Sequence, residues 1–281
     1  MKRAALIGDP VEHSLSPVMH NAAFAALGID AMYELWPTFL GELPARIRSL
    51  RRVDILGANV TIPHKQAVMP LCDELSETAR RIGAVNTLIL RDDRITGDNT
   101  DAYGFARTLD AVRAGSPLGG ALILGAGGAA RAVAVALIDA GVTSVTIANR
   151  TRQRADALVD ALRGAGVSGI GAIEWHDIPR TAGDAGLLVN ATSIGWHGEE
   201  MPVSRAAIDA LDTASIVIDL TYRETALLRS VRERGIVATD GLPMLIHQGA
   251  RALELWTGRQ PPIEVMTRAV LDEQVRREGR S

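Results

Sequence analysis

Ala121-Leu-Ile-Leu-Gly-Ala-Gly-Gly-Ala-Ala-Arg131 decides the fold. Residues 121–124 are an apolar run with the character of a strand, and Ala132-Val-Ala-Val-Ala-Leu-Ile138 reads as a helix. The G-x-G-x-x-A turn between them lies in the strand–turn–helix context where such a motif binds a dinucleotide. Gly125 permits the tight turn, Gly127 admits a pyrophosphate to the backbone, and Ala130 keeps helix and strand close. Roughly a hundred residues precede this unit, enough for another domain. That first domain is where the chemistry is expected.

Downstream, strand signals over 144–148, 186–190, 216–220 and 236–238 alternate with helices over 129–140, 152–163 and 225–235, a doubly wound nucleotide domain. Upstream, strands over 4–8, 31–36, 55–60 and 85–90 alternate with helices over 17–27, 40–49 and 63–71. That pattern predicts a mainly parallel sheet covered by helices. Ser16 reads as an N-cap, Pro17 as the first helical position and Gly28 as the residue past the end. Arg91-Asp-Asp-Arg94 is a hairpin tip leading to Ile95. Residues 243–256 form a helix whose stripe is Met244, Leu245, Gln248, Ala252, Leu255 and Trp256. Gln248 either reaches water at the helix edge or is buried and needs a polar partner such as a ligand. The charged stretch 272–281 reads as a fraying helix end.

Composition narrows the function classes. At 281 residues the chain suits one large or two medium domains, and 4% aromatics against 47% hydrophobics makes a core of Ala, Val, Ile and Leu. A net charge of −3 leaves no footprint for nucleic acid or an anionic membrane. A single cysteine, Cys72, excludes an internal disulfide and a Cys-based zinc site. The histidines have no metal-binding spacing, so no metal is expected. The N-terminal apolar run is too short for a signal peptide, and nothing approaches the ~20 apolar residues of a membrane span. The expectation is a cytoplasmic protein.

Cofactor choice is read at the end of the second nucleotide-domain strand, Ile147-Ala-Asn-Arg-Thr151. An acid there binds a ribose 2′-hydroxyl, whereas arginine accommodates a 2′-phosphate. Arg150, with the Thr151 hydroxyl beside it, favours NADP over NAD. Arg152 and Arg154 follow; an exposed helix face explains one of them.

Polar clusters stand at strand-to-helix junctions, where ligands bind in parallel sheets: His13-Ser-Leu-Ser-Pro17, Asn59-Val-Thr-Ile-Pro-His-Lys65 and Gly97-Asp-Asn-Thr-Asp101. Lys65 is the sharpest residue. A helix opened by Pro63 would put it in the first turn, where the dipole disfavours a cation and suits a proton-transferring amine. Most lysines are solvated surface groups, but this position argues against that reading. An acid such as Asp101 is at home in a helix's first turn, with Thr100 as N-cap, so it gains meaning from Lys65. Ser14, Ser16, Thr61 and Asn86 suit a polyhydroxylated ligand, although each alone is commonly a turn residue. His64 reads as structural.

Taken in order, these clusters, with Gly83-Ala-Val-Asn86, the 125–129 turn, Asn149-Arg-Thr151, Asn190-Ala-Thr-Ser193, Asp219-Leu-Thr-Tyr222 and Gly241-Leu-Pro-Met-Leu-Ile-His-Gln248, resemble the shikimate dehydrogenase family over nearly the whole chain. The resemblance implies reversible NADP-linked oxidation of shikimate to 3-dehydroshikimate. It implies a substrate domain, 1–102 with 241–281, and a Rossmann-type NADP domain, 103–240, the C-terminal helices returning to the first. It assigns Lys65 and Asp101 to catalysis, and Ser14, Ser16, Thr61, Asn86, Tyr222 and Gln248 to the substrate. Gly125, Ala126, Gly127, Gly128 and Ala129 fall at the pyrophosphate, and Asn149, Arg150, Thr151 and Arg154 at the adenosine end. Thr192, Leu220, Gly241 and Met244 fall towards the nicotinamide. The partner implied is the small-molecule substrate, for a monomer or homodimer.

Two departures stand out. Tyr222-Arg-Glu-Thr225 is shorter than the family's Tyr-x-Pro-x-x-Thr, and Trp196 replaces the expected methionine after Gly195. Rival readings are a quinate or aminoshikimate dehydrogenase of the same family, or a non-catalytic NADP-binding regulator. Serine at 16, rather than a bulkier threonine, favours shikimate, and retention of both Lys65 and Asp101 favours an enzyme.

Overall fold

In the first part of the chain, strand-forming apolar runs and punctuated helices alternate as the sequence leads one to expect. The computed structural model describes residues 1–52, 54–115 and 118–279. Contacts divide the chain into a first unit of Met1–Arg80, Ala84–Gly104 and the chain from Ile246 on, and a second of Arg81–Gly83 and Phe105–Leu245.

The elements beginning in the first unit are β1 (Lys2–Gly8), α1 (Ser16–Ala26), β2 (Ala31–Pro37), α2 (Leu43–Ser49), β3 (Ile55–Val60), β4 (Glu74–Leu75), α3 (Glu77–Ile82), β5 (Thr87–Arg91), β6 (Arg94–Asp98) and α4 (Asp101–Arg113). Its six-stranded sheet has the order β2-β1-β3-β5-β6-β4. β1 is parallel to β2 and β3, and β4 to β6, while β5 is antiparallel to both its neighbours. That reversal brings the end of β3, the start of β5 and the end of β6 to the same edge, with Asn59 opposite Thr87 and Thr87 opposite Asp98. The β5–β6 turn is a tight hairpin in which Asp92 and Asp93 take φ of 48° and 63°.

Ile7, Leu43, Ile47, Val60, Leu88 and Ile95 are among the buried residues of this unit's core. His20 is wholly buried, stacked on Tyr33 at 4.4 Å and 3°, and neither ring nitrogen has a hydrogen-bond partner among the described residues. Burial pulls its pKa from 6.5 down to about 3.

The remaining elements are β7 (Gly120–Leu124), α5 (Gly128–Asp139), β8 (Ser144–Ala148), α6 (Arg152–Gly164), β9 (Ile170–Ile173), α7 (Ile178–Gly183), β10 (Leu187–Asn190), α8 (Arg205–Ala210), β11 (Ile216–Asp219), α9 (Ala226–Arg232), β12 (Val237–Thr239), α10 (Leu242–Thr257) and α11 (Ile263–Glu278). The second sheet, β12-β11-β10-β7-β8-β9, is parallel throughout. From its β9 edge it has the 3-2-1-4-5-6 order of a Rossmann fold. α10 starts in the second unit and continues in the first from Ile246. There the Trp256 indole donates to the Leu88 carbonyl at 3.0 Å and lies over Gly57, where an added Cβ would come within 2.2 Å of the ring. Only glycine fits beneath that ring.

Several local expectations need correction. Ser16 is the first helical residue rather than the N-cap, which is Leu15 without a side-chain bond; the Ser14 hydroxyl instead accepts from the Ser16 N–H at 3.1 Å. No α-helix forms over 63–71. The segment is turns ending in a 3-10 turn, Met69–Leu71, because the Lys65 carbonyl bonds the Val85 N–H at 2.7 Å instead of continuing a ladder. β4, β9, α7 and α8 have too few residues to show a period in the sequence. Arg280 and Ser281, the tip of the expected fraying end, lie outside the described residues. No described helix is long and apolar enough to cross a membrane.

Candidate functional site

The edge where β3, β5 and β6 meet collects the polar residues of the first unit. Lys65 Nζ lies 2.6 Å from Asp101 Oδ2, and the two side chains are only 15% and 7% exposed. In an ion pair this deep in the protein, removing one partner leaves an uncompensated charge. The helix-dipole argument for Lys65 falls with the missing helix. Its setting is instead a turn whose carbonyl is anchored to Val85 and whose amine is anchored to Asp101. Asp101 opens α4, as expected of an acid in a first turn.

Asn86 connects the pair to the sheet. Its Nδ2 donates to Asp101 Oδ1 at 2.8 Å, Thr100 Oγ1 at 3.0 Å and Gln248 Oε1 at 3.3 Å. Its Oδ1 accepts from the Thr100 N–H at 2.7 Å and from Thr87 Oγ1 at 2.9 Å. Behind it the Tyr33 hydroxyl donates to Asn59 Oδ1 at 2.9 Å, and Asn59 Nδ2 donates to Thr87 Oγ1 at 3.1 Å. Asn59, Asn86, Thr87, Thr100 and Asp101 are all buried, so the network is dry and its members hold one another's geometry. Gln248 is buried too, and the amide has found the polar partner its position demands. Thr87 escapes sequence reasoning, for a threonine starting a strand carries no signal of its own.

The other predicted substrate residues come from other segments of the chain. Ser14 is half-buried in the β1–α1 connection, and Ser16 is buried. Thr61 is half-buried and its N–H donates to the Ile7 carbonyl at 2.9 Å. Tyr222 belongs to the second unit, where its ring meets Trp196 edge-on at 4.5 Å. His64 is buried with Nε2 2.6 Å from the Thr38 carbonyl, a structural contact.

In the second unit the 125–129 turn has the predicted form. Gly125 has φ +104°, and a Cβ there would lie 2.9 Å from the Ala191 carbonyl oxygen. Gly127 faces open space: an added Cβ would meet nothing within 4 Å. Gly128 and Ala129 begin α5, a helix start of the kind that suits an anion, and Ala126 lies in the turn before it. At the end of β8, Asn149 Nδ2 donates to the Thr151 carbonyl at 2.8 Å. Arg152 is held by Asp156 and Glu174, so it is the helix-face arginine. Arg150 and Arg154 are exposed and take part in no salt bridge among the described residues. Arg150 also borders a cleft of about 500 Å³ with Trp175, Ile194, Met201 and Ser204. Trp175 and Met201 come from short loop-like segments that gave no periodic signal.

Thr192 and Leu220 follow β10 and β11, while Gly241 and Met244 sit at the start of α10. Thr192 Oγ1 donates to Asn190 Oδ1 at 2.7 Å, and the Gly241 N–H to the Thr221 carbonyl at 2.9 Å. Met244 is buried.

Comparisons with known proteins bear on both units. Residues 6–88 match the shikimate dehydrogenase substrate binding domain, 119–222 the shikimate / quinate 5-dehydrogenase model, and 241–271 the shikimate 5′-dehydrogenase C-terminal domain. A shikimate dehydrogenase (NADP(+)) from Symbiobacterium thermophilum is 45% identical, over 95% of this chain and 92% of the relative. Shikimate 5-dehydrogenase from Thermus thermophilus, solved with NADP(H) and shikimate, is 42% identical, with TM-score 0.85 over 97% of this chain and 99% of that one. Quinate dehydrogenase from Corynebacterium glutamicum, solved with NAD, is 33% identical, with TM-score 0.89 over 96% and 99%. With three family models in order along the sequence and full-length relatives at this identity, the chain belongs to the shikimate dehydrogenase family.

Proposed function

We propose that this chain is an NADP-dependent oxidoreductase that interconverts shikimate and 3-dehydroshikimate. The observation that carries the reading is the 2.6 Å contact between Lys65 and Asp101, buried and braced by Asn86. A pure binding module has no use for such a pair.

The second unit fits the cofactor. It has an open glycine turn at a helix start and two exposed guanidiniums, Arg150 and Arg154, at the end of β8. Gly125–Ala129 would hold the pyrophosphate and Asn149, Arg150, Thr151 and Arg154 the phosphorylated adenosine. Thr192, Leu220, Gly241 and Met244 would hold the nicotinamide end. NADP, when bound, supplies the hydride acceptor or donor. The chain's residues handle the proton. A hydroxyl must release its proton as its carbon loses hydride, and the ketone regains one in reverse. The Lys65 amine spends one donor on Asp101 and has others for the substrate oxygen. Asp101, gripped by Lys65 and Asn86, keeps oxygen lone pairs for the same hydroxyl. Together they move the proton; Ser14, Ser16, Thr61, Asn86, Tyr222 and Gln248 bind and orient the substrate.

Residues 1–102 with 241–281 then serve as the substrate domain and 103–240 as the NADP domain. The reading extends to a cytoplasmic monomer or homodimer whose partner is the substrate alone, in keeping with a net charge of −3. Quinate is the second reading, since a quinate dehydrogenase is among the structural relatives. Reduced-cofactor formation, NADPH from NADP⁺ and NADH from NAD⁺, measured with shikimate and with quinate, decides. Shikimate with NADP⁺ should lead in kcat/KM by about tenfold or more. A lead for quinate, or no turnover of shikimate, would overturn the proposal.

A further inference from the structure

Asp219 is a fully buried carboxylate at the carboxyl end of β11. Burying a carboxylate is costly unless its oxygens are well bonded, so its partners reveal what it is for. They are all neutral. Oδ1 accepts from Asn190 Nδ2 at 3.0 Å, the Thr221 N–H at 3.1 Å and Thr221 Oγ1 at 3.0 Å; Oδ2 accepts from Thr225 Oγ1 at 2.8 Å. Burial raises its pKa, and each of these bonds pulls the other way.

The donors come from two different loops. Asn190 ends β10, and its Oδ1 accepts from the Thr192 N–H at 3.1 Å and from Thr192 Oγ1 at 2.7 Å, while Thr192 Oγ1 accepts from the Ile194 N–H at 3.1 Å. Thr221 and Thr225 flank Tyr222 in the loop after β11. Farther out, Trp196 and Tyr222 meet edge to face at 4.5 Å and 89°, and Arg223 Nη1 donates to the Trp196 carbonyl at 2.9 Å. The loops are therefore joined at the base through one carboxylate and at the tip through an aromatic pair. An apolar residue would fill the space at 219 without joining anything.

We infer that Asp219 is a positioning residue for the dinucleotide, its carboxylate locking loops 190–196 and 219–225 into one preformed wall that holds Thr192 and Leu220 in place for the nicotinamide end. This rests on the proposed function, in which those two residues meet the cofactor. The geometry, rather than the charge, is what the wall needs, because an asparagine can keep bonds of the same shape: its oxygen can serve Asn190 and Thr221, and its amide can face Thr225 Oγ1.

The test is Asp219→Ala, Asp219→Asn and Thr221→Val, with kcat and KM for NADP⁺ and an NADPH dissociation constant from fluorescence. Asp219→Ala should raise the NADPH Kd and the KM for NADP⁺ about tenfold or more. Asp219→Asn should stay within about threefold of wild type, and Thr221→Val should fall between. A folded Asp219→Ala with wild-type values overturns the inference, as does an Asp219→Asn variant as impaired as alanine. If the alanine variant fails to fold, Thr221→Val decides, and wild-type binding there overturns it. The binding readout separates this from the proposed function: a wild-type chain that binds NADPH but leaves shikimate untouched defeats the substrate assignment alone.

Discussion

In the first unit the groups proposed for the chemistry are side chains at positions 65, 86, 101 and 248, the last three buried and Lys65 largely so, whereas in the second the glycine turn is backbone, with exposed guanidiniums at 150 and 154 beside it. The first arrangement is a closed set of mutual hydrogen bonds; the second is an open surface that offers N–H groups and charge. A dry network transmits any deletion to every member, since each lost partner leaves a buried group unsatisfied. An open backbone site tolerates side-chain loss and fails chiefly where a Cβ or a lost charge intrudes. Side-chain deletions should therefore act on kcat in the first unit and on cofactor affinity in the second.

The largest expected effect is that of Lys65→Ala. Removing the proton-carrying amine should lower kcat/KM for shikimate by about a thousandfold, in the range of general acid–base contributions. The NADPH dissociation constant should stay within about twofold of wild type. A parallel loss of NADPH binding would erase the contrast between the two regions.

A smaller effect belongs to the open region. Arg150→Ala should raise KM for NADP⁺ by about thirtyfold, ~2 kcal/mol for a charge-assisted contact to phosphate, and leave KM for NAD⁺ and kcat nearly unchanged. Steady-state kinetics with both cofactors read this directly. Equal losses with NADP⁺ and NAD⁺ would show that the guanidinium does not meet a 2′-phosphate.

The smallest is a stability effect in the first unit's core. The folded-state pKa of His20 is depressed to about 3 from 6.5. The unfolded chain therefore takes up a proton that the folded chain refuses, and stability is lost as pH falls below 6.5 towards 3. The loss is about 1.4 kcal/mol per pH unit within that window, with none above it. Urea unfolding at pH 7, 6 and 5 should show this slope, and His20→Phe, which keeps a ring against Tyr33, should flatten it. Identical slopes for the two proteins would remove the buried neutral histidine from the account.

The same contrast explains what could be read from the sequence. The glycine turn and the arginine-bearing strand edge are each contiguous, and the function proposed for them follows from backbone geometry that glycine and a missing carboxylate announce directly. The alternation of strands and helices gave both sheets, yet β9, Ile-Gly-Ala-Ile, is too short and too glycine-interrupted to declare itself. In the first unit the decisive partners lie far apart in the chain. Lys65 and Asp101 were legible as candidates because they stand at strand ends and in family-like motifs. The helix expected around Lys65 was not there, because the Val85 N–H takes its carbonyl, a tertiary choice no local signal contains. The bonding of Asn86 to Thr87, Thr100, Asp101 and Gln248 is likewise a product of the sheet reversal at β5. Ser16 illustrates the cost of reading one residue at a time: it stands inside the helix, and it is the Ser14 hydroxyl that accepts a backbone N–H at the helix start.

The central claim is that Lys65 and Asp101 serve one hydroxyl as a unit, and a double-mutant cycle on kcat/KM for shikimate tests it most directly. Lys65→Ala, Asp101→Ala and the double variant should all fall to about the same residual rate, because removing either member disables the pair. If the double variant instead loses the product of the two single losses, the residues act independently and the account is wrong.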